Sequence, residues 1–244
     1  MKSNFGYLTI LLIFIVTPLT AQQNFASISF GISLPQGEYS SVEGLSSSGY
    51  ARSGGIIRFD AGYFPVSYFG IGGSFSFGSN FAYRDSMLND LSHHVEENAP
   101  NLGVIPEDAE VIYGSGFWNT ISLMIGPHFS VRASQRLYFD IRGLAGIGIV
   151  RTPDQELEIR FDANEIYSRS NRNRVALALT AGGGLRYRLN SNIALKLSAD
   201  YYRTMARFDY TFDVLQGIVG DIPAIESEFP IRTVELTAGL AYSF

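Results

Sequence analysis

The chain contains no cysteine. That excludes disulfides, a thiol nucleophile and the lipid-modified cysteine that follows the leader of a lipoprotein. Histidine is scarce, with three residues, and tryptophan occurs once. General-base and metal chemistry therefore have few side chains to draw on. Excess positive charge is also lacking: the formal net charge is −5, and removal of Lys2 with a leader would make it −6. This is no nucleic-acid footprint. Past the first 21 residues there is no run of about 18 apolar residues, and so no helix able to cross a bilayer. No internal repeat and no domain boundary is evident.

What is present begins with a leader. Lys2, the apolar run Leu8 to Val16, Pro18 and Ala21 predict a secretory signal peptide over residues 1–21. The run is too short to span a membrane as a helix. Cleavage after Ala21 would leave Gln22 first, although Leu19 stands where a small residue is usual, so the position of the cut stays open. Residues 22–244 are expected to form one domain.

That domain reads as strands. Eight candidates lie at about Phe25–Leu34, Gly55–Phe64, Tyr68–Ser79, Phe117–Val131, Arg136–Val150, Arg174–Leu189, Ile193–Arg207 and Ile231–Phe244. In the last, Val234, Leu236, Ala238, Leu240, Tyr242 and Phe244 alternate with Thr233, Glu235, Thr237, Gly239, Ala241 and Ser243. Period two with one unbroken apolar face is what a strand between lipid and a polar interior requires; an edge strand of a soluble sandwich is the other reading. The connections alternate strictly. Phe64–Tyr68, Arg132–Arg136 and Leu189–Asn192 are tight, with the Pro, Ser and Asn of turns. Pro35–Gly54, Asn80–Gly116, Arg151–Asn173 and Phe208–Pro230 are long. An eight-stranded antiparallel up-and-down transmembrane barrel, with short periplasmic turns and long external loops, produces this alternation. A mean hydropathy of +0.09 fits two alternating faces that average out.

Charges follow the faces. Asp60, Asp140, Asp200 and Glu235 are the acids placed within strands, and all fall on the inward face. They meet Arg58, Arg142, Arg186, Arg188 and Lys196, with Tyr138 and Tyr202 on the same side. An eight-stranded tube is only wide enough for its side chains, so pairing and a filled lumen are expected. Outward aromatics predict two girdles: Tyr63, Phe69, Phe129, Phe139, Tyr187 and Tyr242 near the turns, and Phe77, Phe117 and Tyr201 toward the loops.

The loop Asn80–Gly116 carries Asp85, Asp90, Glu96, Glu97, Glu107, Asp108 and Glu110 against one Arg84. It also holds His93-His94, which could ligate a divalent metal or be plain solvated side chains. His128 shares its face with Ser130, but two residues along one strand make no triad. Gly182-Gly183-Gly184 and the Gly143–Gly148 stretch lie within strands and open no helix, so they are not phosphate loops. No catalytic, cofactor-binding or metal residue is assigned, no cofactor is called for, and no enzymatic activity is expected.

The leader near Thr20-Ala21-Gln22, the segment Ala181-Gly182-Gly183-Gly184-Leu185-Arg186-Tyr187 and the ending Ala238–Phe244 together resemble the PorT-like outer-membrane β-barrel family, and more loosely the small OmpA/OmpX-type barrels. The ending resembles the carboxy-terminal sorting signal of such proteins. The resemblance implies outer-membrane localisation, contact with outer-membrane lipid and recognition of the last strand by barrel-assembly machinery. Most PorT-like proteins have no assigned role and a few are tied to protein secretion; no catalytic residue carries over. Three roles follow as expectations: a structural or surface-interaction barrel with an envelope protein partner at its acidic external loops, a component of a secretion or envelope-assembly complex, or an outer-membrane lipid-modifying or proteolytic enzyme. The first is preferred, as a monomer.

Overall fold

The computed structural model describes residues 24–44, 46–87, 89–90, 93, 110–153, 155–161, 164–170, 173–210 and 225–244. Among the described residues eleven strands are formed: β1 Phe25–Pro35, β2 Ala51–Tyr63, β3 Phe69–Ala82, β4 Glu110–Ser115, β5 Phe117–Arg132, β6 Leu137–Arg151, β7 Gln155–Phe161, β8 Asn164–Ser170, β9 Asn173–Arg188, β10 Ile193–Tyr210 and β11 Ile225–Ser243. Eight of them close a barrel in the order β1-β11-β10-β9-β6-β5-β3-β2. Every pairing in it is antiparallel, and β11 closes on β1 from Phe25↔Ser243 to Pro35↔Thr233. Closure leaves no unpaired strand edge, the condition for crossing hydrocarbon without helices.

The alternation in the sequence becomes the two faces of the wall. Ile121, Leu123, Ile125 and Phe129 of β5 are exposed, while Ser122, His128 and Ser130 are buried inside. In β11 Leu236, Leu240 and Tyr242 point out, and Thr233, Glu235 and Thr237 point in. The nine girdle aromatics all lie on the outer surface. The register read from the sequence therefore holds, since a slip of one residue would have inverted every face.

The tight turns are built by their polar side chains. Ser134 Oγ accepts from the amides of Arg136 and Leu137 at 3.3 and 3.2 Å. Asn190 Oδ1 does the same for Asn192 and Ile193 at 3.0 and 2.8 Å. These local bonds replace ladder bonds and reverse the chain.

The long connections differ from the expectation of plain loops. β4, β7 and β8 form a separate three-stranded sheet, with Val111 opposite Ile159 and Ile159 opposite Ile166. The sheet joins the second and third long connections, and β4 runs into β5 through Gly116 alone. β10 and β11 also continue past the wall, pairing as far as Tyr210↔Ile225. A tilted membrane strand needs only about 9–11 residues. Strands of 18 and 19 residues must therefore project beyond the bilayer on the long-loop side.

Glycines make room inside. A Cβ on Gly182 would stand 2.7 Å from the Cα of Asp200, and one on Gly148 would stand 2.7 Å from Tyr202 Oη. The Gly-Gly-Gly run of β9 thus clears space for a lumen carboxylate.

Candidate functional site

The lumen is filled in three layers. At the short-turn end Phe25 and Phe64 are fully buried and stacked at 6.3 Å, and the His128 ring meets both edge-on at 5.6 and 5.2 Å. The Arg186 guanidinium lies 4.0 Å from the Phe25 ring centre. It grips Asp140 through two hydrogen bonds of 2.6 and 2.9 Å and also donates to Ser130 Oγ at 2.8 Å.

The middle layer is ionic. Arg142 donates to both oxygens of Asp200 at 2.9 and 2.7 Å, and its third nitrogen stands 2.7 Å from Asp60 Oδ1. Arg58 bridges Asp200 and Glu235. Lys196 pairs with Asp60 and donates to Ser27 Oγ at 3.1 Å. Thr233 Oγ1 donates to Glu235 at 3.1 Å. With Arg186 and Asp140, four buried cations match four buried anions. Such a set is tolerable away from water only because each charge has a partner of opposite sign.

The outer layer is apolar: Trp118, Met124, Leu144, Val150, Tyr202 and Ile231 pack with Tyr39. Tyr39 comes from the turn Gly37–Tyr39 in the first long loop, and meets Trp118 edge-on at 5.6 Å. Burial, with Tyr202 nearby, pushes its phenol well above the ordinary value, so it stays neutral. Trp118 Nε1 donates to the Gly49 carbonyl at 2.7 Å, which ties the same loop down over the barrel mouth. Tyr50 returns the chain into β2 with a positive φ of 51°, the left-handed conformation that side chains seldom adopt. Its backbone is held there from both sides: the Tyr50 amide donates to the Ser41 carbonyl at 2.9 Å, the Tyr50 carbonyl accepts from the Tyr83 amide at 2.7 Å, and the Tyr50 phenol donates to Asp90.

All but one of the sequence-derived lumen residues are therefore brought together. Arg188 is the exception. It lies half-buried at the short-turn rim, where it donates to Tyr138 Oη at 3.1 Å and to the Ser191 carbonyl at 3.2 Å. The cause is its position one residue before the turn, where the strand has left the narrow tube. Ser27, Ser130 and Thr233 lie inward as their alternation predicts; their hydrogen bonds to Lys196, Arg186 and Glu235 depend on barrel closure and could not be read from the alternation. The plugs Phe25, Phe64, Tyr39 and Trp118 were not expected. Phe25 and Trp118 alternate in step with Ser27 and Thr120, and that register was the available signal.

His128 Nε2 lies 3.6 Å from Asp140 Oδ1, beyond hydrogen-bonding distance, and Ser130 Oγ is held by Arg186. No proton relay joins serine to histidine. Of the loop residues, Asp90 binds the first loop by accepting from the Gly44 amide at 3.1 Å. His94, Glu96, Glu97, Glu107 and Asp108 lie outside the described residues. Among the described residues no group of three His, Asp or Glu is placed to hold a metal ion.

The closed barrel with an apolar exterior, aromatic girdles and a polar interior defines an outer-membrane β-barrel protein. The sequence matches the family described as outer membrane protein beta-barrel domain over residues 9–244, and the chain belongs to that family. Its place is the outer membrane. No curated protein matches. Solved structures similar to the chain include a major outer membrane protein from Thermus thermophilus, at 12% identity and a TM-score of 0.47, covering 91% of this chain and 99% of that one. OprG from Pseudomonas aeruginosa matches at 10% identity and 0.47, covering 91% and 96%. The attachment invasion locus protein Ail of Yersinia pestis matches at 15% and 0.39, covering 91% and 99%.

Proposed function

We propose that this protein is a sealed membrane anchor that presents an external platform to an envelope partner, and that it is neither a channel nor an enzyme. The observation that supports this is the lumen: a charge-balanced, paired ionic layer between two aromatic plugs. A conducting pore needs continuous water, and a hydrolase needs an open site beside its nucleophile. The platform is the sheet β4-β7-β8 with the projecting hairpin β10–β11. Its second connection is strongly acidic, which favours cationic partners. Export by the leader of residues 1–21 belongs to the same reading.

Two measurements test it. Planar-bilayer recording of the refolded barrel is expected to show no steady porin-sized conductance; such a conductance would refute the seal. Replacing residues 84–115 by a short turn removes β4. It should leave a heat-modifiable barrel in the outer membrane while the envelope partner is lost from detergent pull-downs. Retention of the same partners by the shortened protein would remove the platform from the reading. Membership of a secretion or envelope-assembly complex is the second reading, favoured by the PorT-like segments 181–187 and 238–244. It is distinguished by whether the recovered partners belong to export machinery.

A further inference from the structure

Two outward arginines have no explanation in the fold. Arg203 of β10 and Arg232 of β11 are directly opposite in register. Arg203 is exposed and Arg232 half-buried, both on the lipid-facing side of the wall. Among the described residues neither side chain makes a hydrogen bond or an ion pair; Glu38, in the adjoining turn, pairs with neither. Like charges opposite one another in a sheet repel. Arg207, the next basic residue on that face, stands opposite Glu228 in register and is not part of the pair.

Their depth is informative. The outward residues of β10 run Ile193, Leu195, Leu197, Ala199, Tyr201 and then Arg203. Tyr201 belongs to the loop-side girdle, so Arg203 follows at headgroup level on the external side. Arg232 Nη1 lies against Gly37, on the β1 side of β11. Cross-strand partners have Cα atoms about 5 Å apart, so turning the Arg232 side chain toward β10 lets both guanidinium groups close on one anion.

Below Arg203 the wall is hollowed. A groove of about 460 Å³ is lined by Arg203, Tyr201, Leu179, Ala181, Gly143 and Pro127. Register carries it downward from the arginine, since Tyr201 pairs with Ala181 and Ala181 with Gly143. A Cβ on Gly143 would meet nothing within 4 Å, so its floor is open.

We propose that this face binds a phosphate-bearing lipid of the outer leaflet, with the phosphate between Arg203 and Arg232 and one acyl chain in the groove over Ala181 and Gly143. The cationic mouth and apolar channel match the two ends of such a lipid. A soluble phosphate would use the mouth alone.

The test uses the intact barrel in phosphatidylcholine nanodiscs, with diphosphoryl lipid A as probe and native mass spectrometry as readout. The unsubstituted protein should retain diphosphoryl lipid A about tenfold or more over its dephosphorylated form, the scale of a charge-assisted contact. Arg203→Gln with Arg232→Gln should abolish that preference while still retaining some lipid. Gly143→Leu, which fills the groove without meeting backbone, should weaken retention of both forms alike. Millimolar inorganic phosphate should displace neither. All three substituted side chains face outward, and unchanged heat-modifiable mobility will show that the barrels fold. Equal retention of the two lipid forms, an undiminished preference in the double variant, or displacement by free phosphate would each overturn the proposal.

Discussion

Asp200→Ala is expected to lower the unfolding temperature of the barrel by on the order of 10 °C, more than any other single acid-to-alanine change in the lumen. The reason is its position in the network. Its carboxylate side chain is fully buried and accepts from two guanidinium groups, those of Arg58 and Arg142. Without it Arg58 keeps only Glu235 and Arg142 keeps only Asp60. The layer then carries one uncompensated positive charge, which costs about 3–5 kcal/mol when fully buried and less if water reaches it. Asp140→Ala should cost less. Arg186 would retain the Phe25 ring and Ser130 as partners, and that layer lies nearer the rim. Asp200→Asn separates charge from shape: it can still accept one hydrogen bond but cannot balance two cations, and should fall between. None of the three opens a large channel, because the plugs above and below the layer are untouched. Thermal unfolding in detergent checks the order, with bilayer recording beside it. An unchanged midpoint for Asp200→Ala would mean that lumen water already screens these charges and that the ionic layer does not hold the barrel together.

The wall was legible because lipid imposes a single rule on every strand: the outer face must be apolar along its whole span. Ile121, Leu123 and Ile125, or Leu195 and Leu197, can be read without knowing their neighbours. The interior obeys no such rule. Phe25, Trp118, Leu144 and Val150 are inward yet apolar, because a narrow tube is filled by whatever fits. Nor could the ion pairs be read in detail. Arg58 and Glu235 are 177 residues apart and Lys196 and Asp60 are 136 apart, and closure alone brings them together. The external sheet was hidden by a different cause. Glu156, Glu158 and Arg160 alternate with Leu157, Ile159 and Phe161, a period-two signal as clear as that of the wall. A wall closed by eight strands has no place for a further one, and period two alone does not say that these residues pair with β4 outside the wall. Arg203 and Arg232 lie within the strands expected at Ile193–Arg207 and Ile231–Phe244, which extend to Tyr210 and back to Ile225, but their opposition depends on register between β10 and β11.

Tyr242→Asp with Phe244→Asp is expected to abolish accumulation of the folded barrel in the outer membrane. It should leave refolding of the purified chain in detergent nearly unaffected. Both rings are outward, and Tyr242 lies opposite Ile193 and Ala26 near the short-turn end of the wall. A charge at that interface costs about 0–1 kcal/mol, and carboxylates less than basic residues. The backbone ladder between β11 and β1 is unchanged by either substitution. Stability alone therefore predicts little effect. A large loss in cells with a small loss in detergent means that the aromatic face of β11 is read during assembly, as barrel-assembly machinery would read it. Heat-modifiable mobility reports folding in both settings, so the two amounts compare directly. Equal losses in cells and in detergent would place the effect in barrel stability. Normal accumulation of the doubly substituted protein in the outer membrane would show that β11 is not the element by which this chain is recognised.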